Sequence, residues 1–308
     1  MIGSVLDAIG NTPVVKLRKL VPPGSADVIV KLEYFNPTGS YKDRMALSMI
    51  EEAEKRGSLR PGMRVVEYTG GSTGSSLAMV CAVKGYRFEP VSSDAFSREK
   101  IRTMQAFGAS VTVLESDGGK ITPELFDRFK REIALRAAEP GTFYTDQLNN
   151  RDTIAGYRKI GEELLRQVEG PIAAFCGAVG SAGMLLGVAA ALREAGSRAR
   201  IVALEPAESP VITKGVAGSH RIEGIGVGFW PPMLRREDFD EARAIPEAAA
   251  RAMARRLATE EGILAGTSTG LNVTAALQLA RELGSGPVVA TVATDTGLKY
   301  LAGDLYAE

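Results

Sequence analysis

The chain has 308 residues, of which 37 are basic and 37 are acidic, so its formal net charge is zero. This balance excludes the strong positive field that proteins use to bind nucleic acids or anionic membranes, and it favours a small ligand. The length predicts roughly two domains, each able to bury a core. The two cysteines, Cys81 and Cys176, lie far apart within apolar runs, which favours reduced, buried thiols over a disulfide framework.

Strand-like and helical segments alternate along almost the whole chain. The strand patterns cover residues 28–32, 64–67, 87–91, 110–114, 172–176, 201–204 and 288–292. The helical patterns begin near residues 42, 73, 97, 122, 151, 182, 246 and 268. This alternation predicts an α/β fold in which helices cover both faces of parallel sheets. The polar segment from Tyr144 to Asn150 predicts a boundary between two domains, residues 1–145 and 146–308.

One segment, residues 171–192, contains no charged side chain and is long enough to span a bilayer. Small residues, including Gly177 and Gly180, interrupt it. We therefore interpret it as a buried strand, a glycine loop and a buried helix, and we expect no membrane partner. The N-terminus carries Asp7 and lacks a basic start before an apolar run, so it does not look like a secretory signal, and we expect a cytoplasmic protein.

The segment Asn36–Arg44 ends an extended run and leads directly into a helix that has Lys42 in its first turn. A cation is unusual there, because the positive end of the helix dipole repels it. The same field, together with partial burial, would lower the pKa of the Lys42 amine, and a neutral amine is what forms a Schiff base with an aldehyde. From this stretch alone, a solvated surface lysine is an equally good interpretation.

Three glycine-rich loops accompany this lysine, and we call them the first (residues 69–74), second (residues 177–183) and third (residues 266–270) glycine loops. In doubly wound folds such loops lie at the carboxyl ends of strands, where ligands bind. The hydroxyls and amides of the first loop suit a carboxylate or phosphate, and the second loop is the better phosphate cradle. Each loop taken alone could also be a tight turn, although a binding role is the better interpretation, and three such loops with one first-turn lysine are a more specific signal.

Other kinds of site are less well supported. The second glycine loop, followed about twenty residues later by Glu205, imitates a dinucleotide fingerprint. It reads G-x-x-G-x-x-G instead of G-x-G-x-x-G and leaves Lys42 unexplained, so a nicotinamide oxidoreductase is the weaker alternative. His220 is the only histidine, and no cluster has metal-ligand spacing. We therefore expect neither a metal site nor a catalytic triad.

Motifs spread over the whole chain resemble those of cysteine synthase (O-acetylserine sulfhydrylase), cystathionine β-synthase and their relatives among the fold-type II pyridoxal-phosphate enzymes. The motifs are Gly10–Pro13, Asn36–Arg44, the first glycine loop, Gln147, Gly180–Gly183, His220–Gly228, Glu260–Gly270, and Asp295–Gly297 with Tyr300. The resemblance implies a tryptophan synthase β-like fold of two α/β domains. The smaller domain, residues 1–145, would be mobile, and about residues 12–34 would cross into the larger domain, residues 146–308.

The resemblance also implies roles for individual residues. Lys42 would hold pyridoxal 5'-phosphate as a Schiff base and act as the general base, and Ser268 would be the neutral partner of the pyridine nitrogen, which favours elimination at the β-carbon. The residues matching the phosphate-binding loop are Gly180, Ser181, Ala182, Gly183 and Met184. The residues matching the substrate-carboxylate site are Thr69, Gly70, Gly71, Ser72, Thr73 and Gln147. His220 would be structural or lie at the entrance.

This chain departs from the family pattern within these loops. Where the family usually has T-S-G-N-T-G, the first glycine loop reads TGGSTG, so a hydroxyl is lost at Gly70 and Ser72 replaces an asparagine that contacts the ring oxygen of the cofactor. Ala182 and Met184 replace the usual glycine and threonine, and Tyr41 is bulkier than the usual valine. These departures concern the identity of the substrate and leave the cofactor unchanged.

The resemblance implies β-replacement on an O-activated L-serine through an α-aminoacrylate intermediate. Sulfide is the first nucleophile that we expect, and another thiol or an amine is the alternative. The alternatives are β-elimination, as in a cysteine desulfhydrase or serine dehydratase, and a binding or regulatory protein that keeps the cofactor without turnover. The resemblance further implies a homodimer. Binding to serine acetyltransferase is less expected, because that peptide uses the altered first glycine loop.

Overall fold

The computed structural model describes residues 2–119 and 122–307. The chain forms two compact units: the first comprises Met1–Ile9 with Lys42–Gly156, and the second comprises Gly10–Tyr41 with Tyr157–Glu308. The strands are β1 (Val14–Lys16), β2 (Asp27–Leu32), β3 (Arg64–Val66), β4 (Arg87–Phe88), β5 (Val91–Ser93), β6 (Thr112–Leu114), β7 (Thr142–Tyr144), β8 (Ile172–Ala178), β9 (Arg200–Pro206), β10 (Glu241–Ile245) and β11 (Val288–Ala293). The α-helices are α1 (Lys42–Lys55), α2 (Ser72–Lys84), α3 (Arg98–Ala106), α4 (Pro123–Ala137), α5 (Asp152–Gln167), α6 (Gly183–Glu194), α7 (Val211–Lys214), α8 (Glu247–Arg256) and α9 (Thr267–Leu283).

The second unit is built on a six-stranded sheet in the order β1-β2-β11-β8-β9-β10. Every neighbouring pair is parallel except β1 and β2, which are antiparallel. The two strands at the centre of the sheet, β8 and β11, carry no charged side chain, as expected when helices cover both faces of a parallel sheet. Val28, Val202 and Val289 from three strands of the sheet are fully buried in one core, together with Leu271 and Leu277 of α9.

The first unit has a three-stranded parallel sheet in the order β4-β3-β7 and a parallel pair, β5 and β6. A parallel bridge between Tyr68 and Val91 connects the two. The core beside them contains Val66 and an aromatic group centred on Phe129 of α4. A parallel α/β arrangement is therefore present in both units, as predicted.

The structure supports the interpretation of residues 171–192 as a strand, a loop and a helix, because they form β8, the second glycine loop and α6. Over residues 2–119 and 122–307, no helix combines the length and the apolar character needed to cross a bilayer. Cys81 and Cys176 are both buried and unpaired by disulfides.

Two features of the sheets differ from the sequence-based expectation. The single strand expected over residues 87–91 is divided into β4 and β5, which belong to different sheets. Pro90 lies between them, and proline has no N–H to donate to a ladder, so pairing is interrupted there. Strands β1 and β10 were not predicted. β1 forms by antiparallel pairing with β2. β10 has the sequence EARAI, which is poor in β-branched residues, and it forms by parallel pairing with β9.

Candidate active site

Lys42 is the first residue of α1 and is half-buried. The helix continues with an apolar face that includes Met45, Met49 and Ile50, all fully buried in the first unit. Asp43, in the same first turn, supplies the negative charge that a helix N-terminus prefers. The local sequence therefore forms a firmly packed helix with the Lys42 amine at its start.

The residue before Lys42 is held by contacts within the second unit. Tyr41 is buried, its backbone N–H donates to the carbonyl oxygen of Thr294 over 2.9 Å, and its ring lies 5.2 Å from that of Tyr157. Burial raises the pKa of the Tyr41 phenol far above its usual range, and the nearby carboxylates of Asp295 and Glu33 raise it further. Tyr41 therefore acts as a neutral, packed anchor next to Lys42 in the sequence.

The first glycine loop joins β3 to α2, and its Thr73 side chain contacts Gln147. Thr73 Oγ1 donates to Gln147 Oε1 over 2.8 Å, and Gln147 Nε2 donates to the carbonyl oxygen of Tyr68 over 3.2 Å. Helix α2 begins at Ser72 with Gly71 as its N-cap. The first-turn N–H groups of a helix have no intrahelical acceptor, so this loop offers amides and hydroxyls to an anion.

The sequence analysis missed a buried carboxyl group, that of Glu67, which lies two residues before this loop in the chain. Glu67 accepts hydrogen bonds from Thr145 Oγ1 at 2.6 Å, from the backbone N–H of Gln147 at 3.0 Å and from that of Tyr68 at 3.0 Å. The pKa of Glu67 is raised to about 8: burial is the largest cause, Asp146 raises the pKa further, and the three donors partly oppose the increase. Glu67 thus connects the start of the first glycine loop to the backbone of Gln147.

The second glycine loop is packed against the backbone of residues 224–226. The Gly226 N–H donates to the carbonyl oxygen of Val179 over 3.1 Å, and a Cβ added at Gly180 would lie 2.6 Å from the carbonyl oxygen of Gly224. Ala182 is the N-cap of α6 and adopts a left-handed conformation with φ of 73°. The sequence analysis did not anticipate this strained conformation, which an alanine rarely adopts.

The third glycine loop places Ser268 in a buried group of hydroxyls. Ser268 Oγ lies 2.6 Å from Thr294 Oγ1, and the Thr294 N–H donates to Thr269 Oγ1 over 3.0 Å. Next to them, the Tyr300 hydroxyl donates to Asp295 Oδ2 over 2.8 Å. Ser268 is only 5% exposed, so its hydroxyl is held in a polar but enclosed position.

Asn272, which the sequence analysis also missed, connects α9 to the ends of two strands. Its Oδ1 accepts from the Ala178 N–H at 2.8 Å, and its Nδ2 donates to the carbonyl oxygen of Val292 at 2.9 Å. Ala178 is the last residue of β8, immediately before Val179 and Gly180. Asn272 therefore places the start of α9, with Ser268, at the strand edge that carries the second glycine loop.

Comparison with known proteins identifies the family. Residues 5–295 match the family described as pyridoxal-phosphate dependent enzyme. The chain belongs to this family. It is 41% identical over 308 residues to a cysteine synthase of Staphylococcus aureus, an alignment that covers 99% of this chain and 97% of that protein. The predicted family, fold class and cofactor, pyridoxal 5'-phosphate, are confirmed.

Solved structures of family members have the same fold. An O-ureido-L-serine synthase has a TM-score of 0.91 and 37% identity, with 99% of this chain and 95% of that chain covered. A cysteine synthase from Entamoeba histolytica has a TM-score of 0.93 and 34% identity, with 100% of this chain and 91% of that chain covered. The similarity therefore extends through both units of this pyridoxal-phosphate dependent enzyme.

The residues of this family member fit the cofactor. The close approach of Gly180 to the Gly224 carbonyl leaves no room for a Cβ, and a twelve-residue helix, α6, begins at Gly183, so the amides of the second glycine loop form a cradle suited to a phosphate. The buried hydroxyl of Ser268 is a donor that a heterocyclic nitrogen can accept from. The half-buried amine of Lys42 is a group that can form a Schiff base with an aldehyde such as that of the cofactor.

The predicted site residues are divided between the two units. Lys42, the first glycine loop and Gln147 belong to the first unit, and residues 180–184 and Ser268 belong to the second. Within the first unit, the structure brings Thr73 and Gln147 into direct contact. Over residues 2–119 and 122–307, no group of three or more His, Cys, Asp or Glu residues has an arrangement that could hold a metal ion.

His220 has a structural environment. Its Nδ1 accepts from the Ile222 N–H at 3.2 Å, so the proton of a neutral ring lies on Nε2, which donates to the carbonyl oxygen of Gly226 at 3.0 Å. Both ring nitrogens therefore hold the backbone segment that packs against the second glycine loop.

Proposed function

We propose that this chain catalyses β-replacement on an O-activated L-serine, with sulfide as the nucleophile, and so acts as a cysteine synthase. The observation that carries the proposal is its 41% identity, over 99% of the chain, to an enzyme named cysteine synthase. When bound, pyridoxal 5'-phosphate supplies an electron sink that stabilises negative charge on the α-carbon of an amino acid. The protein must position the cofactor, move the α-proton and hold the substrate carboxylate.

Lys42 is the residue assigned to the proton transfer. Its amine would hold the aldehyde group of the cofactor covalently and, once released by the substrate, take the α-proton. The position of Lys42 at the start of a helix supports this role, because the positive helix end favours the neutral amine that a base requires. No histidine is needed for this step, which agrees with the engagement of both His220 nitrogens by backbone groups.

The first glycine loop would bind the carboxylate of the substrate. Thr69 and Ser72 would contribute hydroxyls, Gly70, Gly71 and Thr73 would contribute backbone amides, and Gln147 would contribute its side-chain amide, because the hydroxyl hydrogen of Thr73 is already donated to Gln147. The hydrogen bond from Thr73 to Gln147 supports this assignment, because it fixes the amide of Gln147 beside the loop. Ser72 would in addition reach the ring oxygen of the cofactor, either directly or through water.

The second and third glycine loops would bind the cofactor itself. The amides of Gly180, Ser181, Ala182, Gly183 and Met184 would donate to its phosphate, aided by the dipole of α6. If Thr294 donates the hydrogen in its 2.6 Å contact with Ser268, the Ser268 hydrogen can donate to the pyridine nitrogen. A neutral hydroxyl leaves that nitrogen largely unprotonated, which limits charge delocalisation and favours loss of the β-substituent over transamination.

We also infer that the enzyme is a cytoplasmic homodimer. Burial raises the pKa of both cysteine thiols to about 12, and two buried, unpaired thiols suit a reducing compartment. The dimer follows from the family resemblance, and sedimentation velocity would test it, since a monomer would overturn it. Binding to serine acetyltransferase is less expected than the homodimer, because Gly70 and Ser72 alter the loop that would bind it.

The reaction is tested by analysing products from O-acetylserine with and without sulfide. Cysteine should form only with sulfide, and Lys42→Ala should lower its rate by about a thousandfold. Lys55→Ala is the matched control, because Lys55 lies in the last turn of the same helix with 67% of its side chain exposed. Formation of pyruvate and ammonia at the same rate with or without sulfide would contradict replacement in favour of elimination.

A further inference from the structure

Residues 294–296 follow β11 directly, and their backbone makes hydrogen bonds on two sides. On one side, the Tyr41 N–H donates to the carbonyl oxygen of Thr294 over 2.9 Å. On the other side, the Gly266 N–H donates to the carbonyl oxygen of Asp295 over 3.1 Å. We call residues 294–296 the bridging segment, because they connect the chain that leads into α1 to the third glycine loop.

The bridging segment fits closely against the third glycine loop. A Cβ added at Gly266 would lie 2.4 Å from Asp295 Oδ1 and 2.6 Å from Tyr300 Cε2, so a larger residue there would have to displace both. The Tyr300 hydroxyl also donates to Asp295 Oδ2 over 2.8 Å. Asp295 and Tyr300 are both buried, so the segment that carries Thr294 is fixed by packing as well as by hydrogen bonds.

The hydroxyl of Thr294, a residue only 3% exposed, has one close neighbour and two distant ones. Thr294 Oγ1 lies 2.6 Å from Ser268 Oγ. Thr269 Oγ1 and Asp295 Oδ1 are each 3.4 Å from the same atom. Hydrogen bonds between two oxygens are usually about 2.7–2.8 Å long, so the contact with Ser268 is the strong one and the other two are weak.

In this short contact, one of the two hydroxyls donates and the other accepts. If Ser268 donated, the Thr294 hydrogen would be left with a weak acceptor 3.4 Å away. If Thr294 donates, its hydrogen lies in the short bond, and the Ser268 hydrogen is available to the ring nitrogen of the bound cofactor. A neutral ring nitrogen accepts and has no hydrogen to give, so donation by Thr294 is the arrangement with two good hydrogen bonds.

We propose that Thr294 is a positioning residue for the cofactor, and that its hydroxyl donates to Ser268 and so directs the Ser268 hydrogen to the pyridine nitrogen. This rests on the proposed function, in which Ser268 is the partner of that nitrogen. Because the backbone of Thr294 is held on both sides, its hydroxyl stays in place without the cofactor. Ser268 is thereby oriented in advance, which lowers the entropic cost of binding, and a donor to its oxygen makes it a better donor.

Three variants separate this role from a general effect on packing. Thr294→Val removes the hydroxyl and keeps the shape of the side chain, whereas Thr294→Ser keeps the hydroxyl. Thr291→Val is the matched control, because Thr291 is fully buried in β11 and its hydroxyl donates to the carbonyl oxygen of Cys176 over 2.8 Å. The measurement is the dissociation constant of pyridoxal 5'-phosphate, obtained by titrating each apoenzyme. The midpoint of thermal unfolding of the apoenzyme reports the structural cost separately.

Thr294→Val should raise the dissociation constant about fivefold, which corresponds to one net hydrogen bond. Thr294→Ser should restore wild-type affinity. Thr291→Val should leave the affinity unchanged, although both valine variants should lower the unfolding midpoint of the apoenzyme, since each loses a buried hydrogen bond. Equal increases of the dissociation constant in Thr294→Val and Thr291→Val, or the same increase in Thr294→Ser as in Thr294→Val, would overturn the proposal.

Ser268→Ala supplies a second test, because Thr294 is proposed to act through Ser268. Once the Ser268 hydroxyl is absent, Thr294→Val should raise the dissociation constant no further, so the two substitutions should be strongly non-additive. Additive effects would contradict the proposal, since they would show that Thr294 acts on the cofactor site independently of Ser268.

Failure of this inference can be told apart from failure of the proposed function. If Ser268→Ala leaves the dissociation constant unchanged, the assignment of Ser268 to the ring nitrogen is wrong, and the role of Thr294 is wrong with it. If Ser268→Ala weakens binding and Thr294→Val does not, only the role of Thr294 is overturned. Neither result depends on turnover or on the nucleophile, which the product analysis tests separately.

Discussion

The first and second glycine loops both connect a strand to a helix, but different atoms limit their glycines. A Cβ at Gly70 would meet a side chain, the Phe96 ring at 2.0 Å, whereas a Cβ at Gly180 would meet the backbone oxygen of Gly224 at 2.6 Å. A side chain can be exchanged by one substitution, but a carbonyl oxygen is present whichever residue occupies position 224. A side chain at position 70 therefore becomes possible if Phe96 is replaced at the same time. No replacement of residue 224 makes room for a side chain at position 180.

The largest effect is expected at the second loop. Gly180→Ala should abolish stable binding of pyridoxal 5'-phosphate, because the backbone of residues 224–226 must shift and the amide cradle is lost. The measurement is the amount of cofactor that stays bound to the protein during gel filtration, read from its visible absorbance. Gly303→Ala is the control, since its Cβ would have an ordinary contact of 3.6 Å with the Tyr300 oxygen. If Gly180→Ala retained the cofactor as wild type does, the proposed difference between the loops would be wrong.

An intermediate effect is expected at Gly74 in the first loop. A Cβ there would lie 2.3 Å from Met104 Sδ and 2.7 Å from Thr69 Cγ2, both of which are side-chain atoms. Gly74→Ala should lower the free energy of unfolding by about 1–3 kcal/mol, as overpacking does. Met104→Ala should lower the free energy of unfolding less in the Gly74→Ala variant than in the wild type. We expect the two losses, measured by urea titration, to differ by about 1 kcal/mol. Additive costs would show that side chains do not limit this glycine.

A third effect is a pH dependence that originates at Glu67, next to the first loop. The pKa of Glu67 is raised from 4.5 to about 8 by burial, so in the folded state it keeps its proton to higher pH than in the unfolded state. The unfolded chain thus binds fewer protons between these values, and this contribution to stability is lost as pH rises from about 4.5 to about 8. The slope is at most about 1.4 kcal/mol per pH unit.

Glu67→Gln removes this titration and keeps one acceptor oxygen, which can serve the N–H of Gln147 or that of Tyr68, because these two groups bond different oxygens of Glu67. The loss of one hydrogen bond shifts the stability of the variant at every pH and leaves the slope to the titration. The free energy of unfolding of the variant, minus that of the wild type, should therefore rise between pH 5 and pH 8, the window set by the raised pKa of Glu67. The other groups that face Glu67 are Asp146, Tyr68 and Tyr144, which remain in both proteins and whose contributions largely cancel. A difference independent of pH would contradict a protonated Glu67.

Much of the local architecture could be predicted from the sequence. The buried parallel strands are continuous runs of apolar, largely β-branched residues, and the helix that starts at Lys42 repeats its apolar positions at helical spacing. The glycine loops lie between strands and helices because glycine tolerates the tight turns there. These features depend on residues close together in the chain, which is why the patterns were informative.

Other features could not be predicted because they depend on distant partners. The sequence EARAI forms β10 through its pairing with β9, against its own low strand propensity. Glu67 looks like an ordinary strand-end carboxylate until Thr145 and Gln147 are placed against it. Phe96 reads as one more apolar residue in a connecting segment, and nothing in its neighbours along the chain relates it to Gly70.

By itself, the sequence determined the α/β class, the family, the cofactor and the loops that accompany Lys42, because spacing within short motifs carries that information. Only the tertiary structure decided why position 70 is glycine, since the Phe96 ring comes from a turn after a different strand. It also decided that Gly180 is limited by a backbone carbonyl from residue 224. A motif records which residues occupy a loop, but the atoms that pack against the loop are brought there by folding.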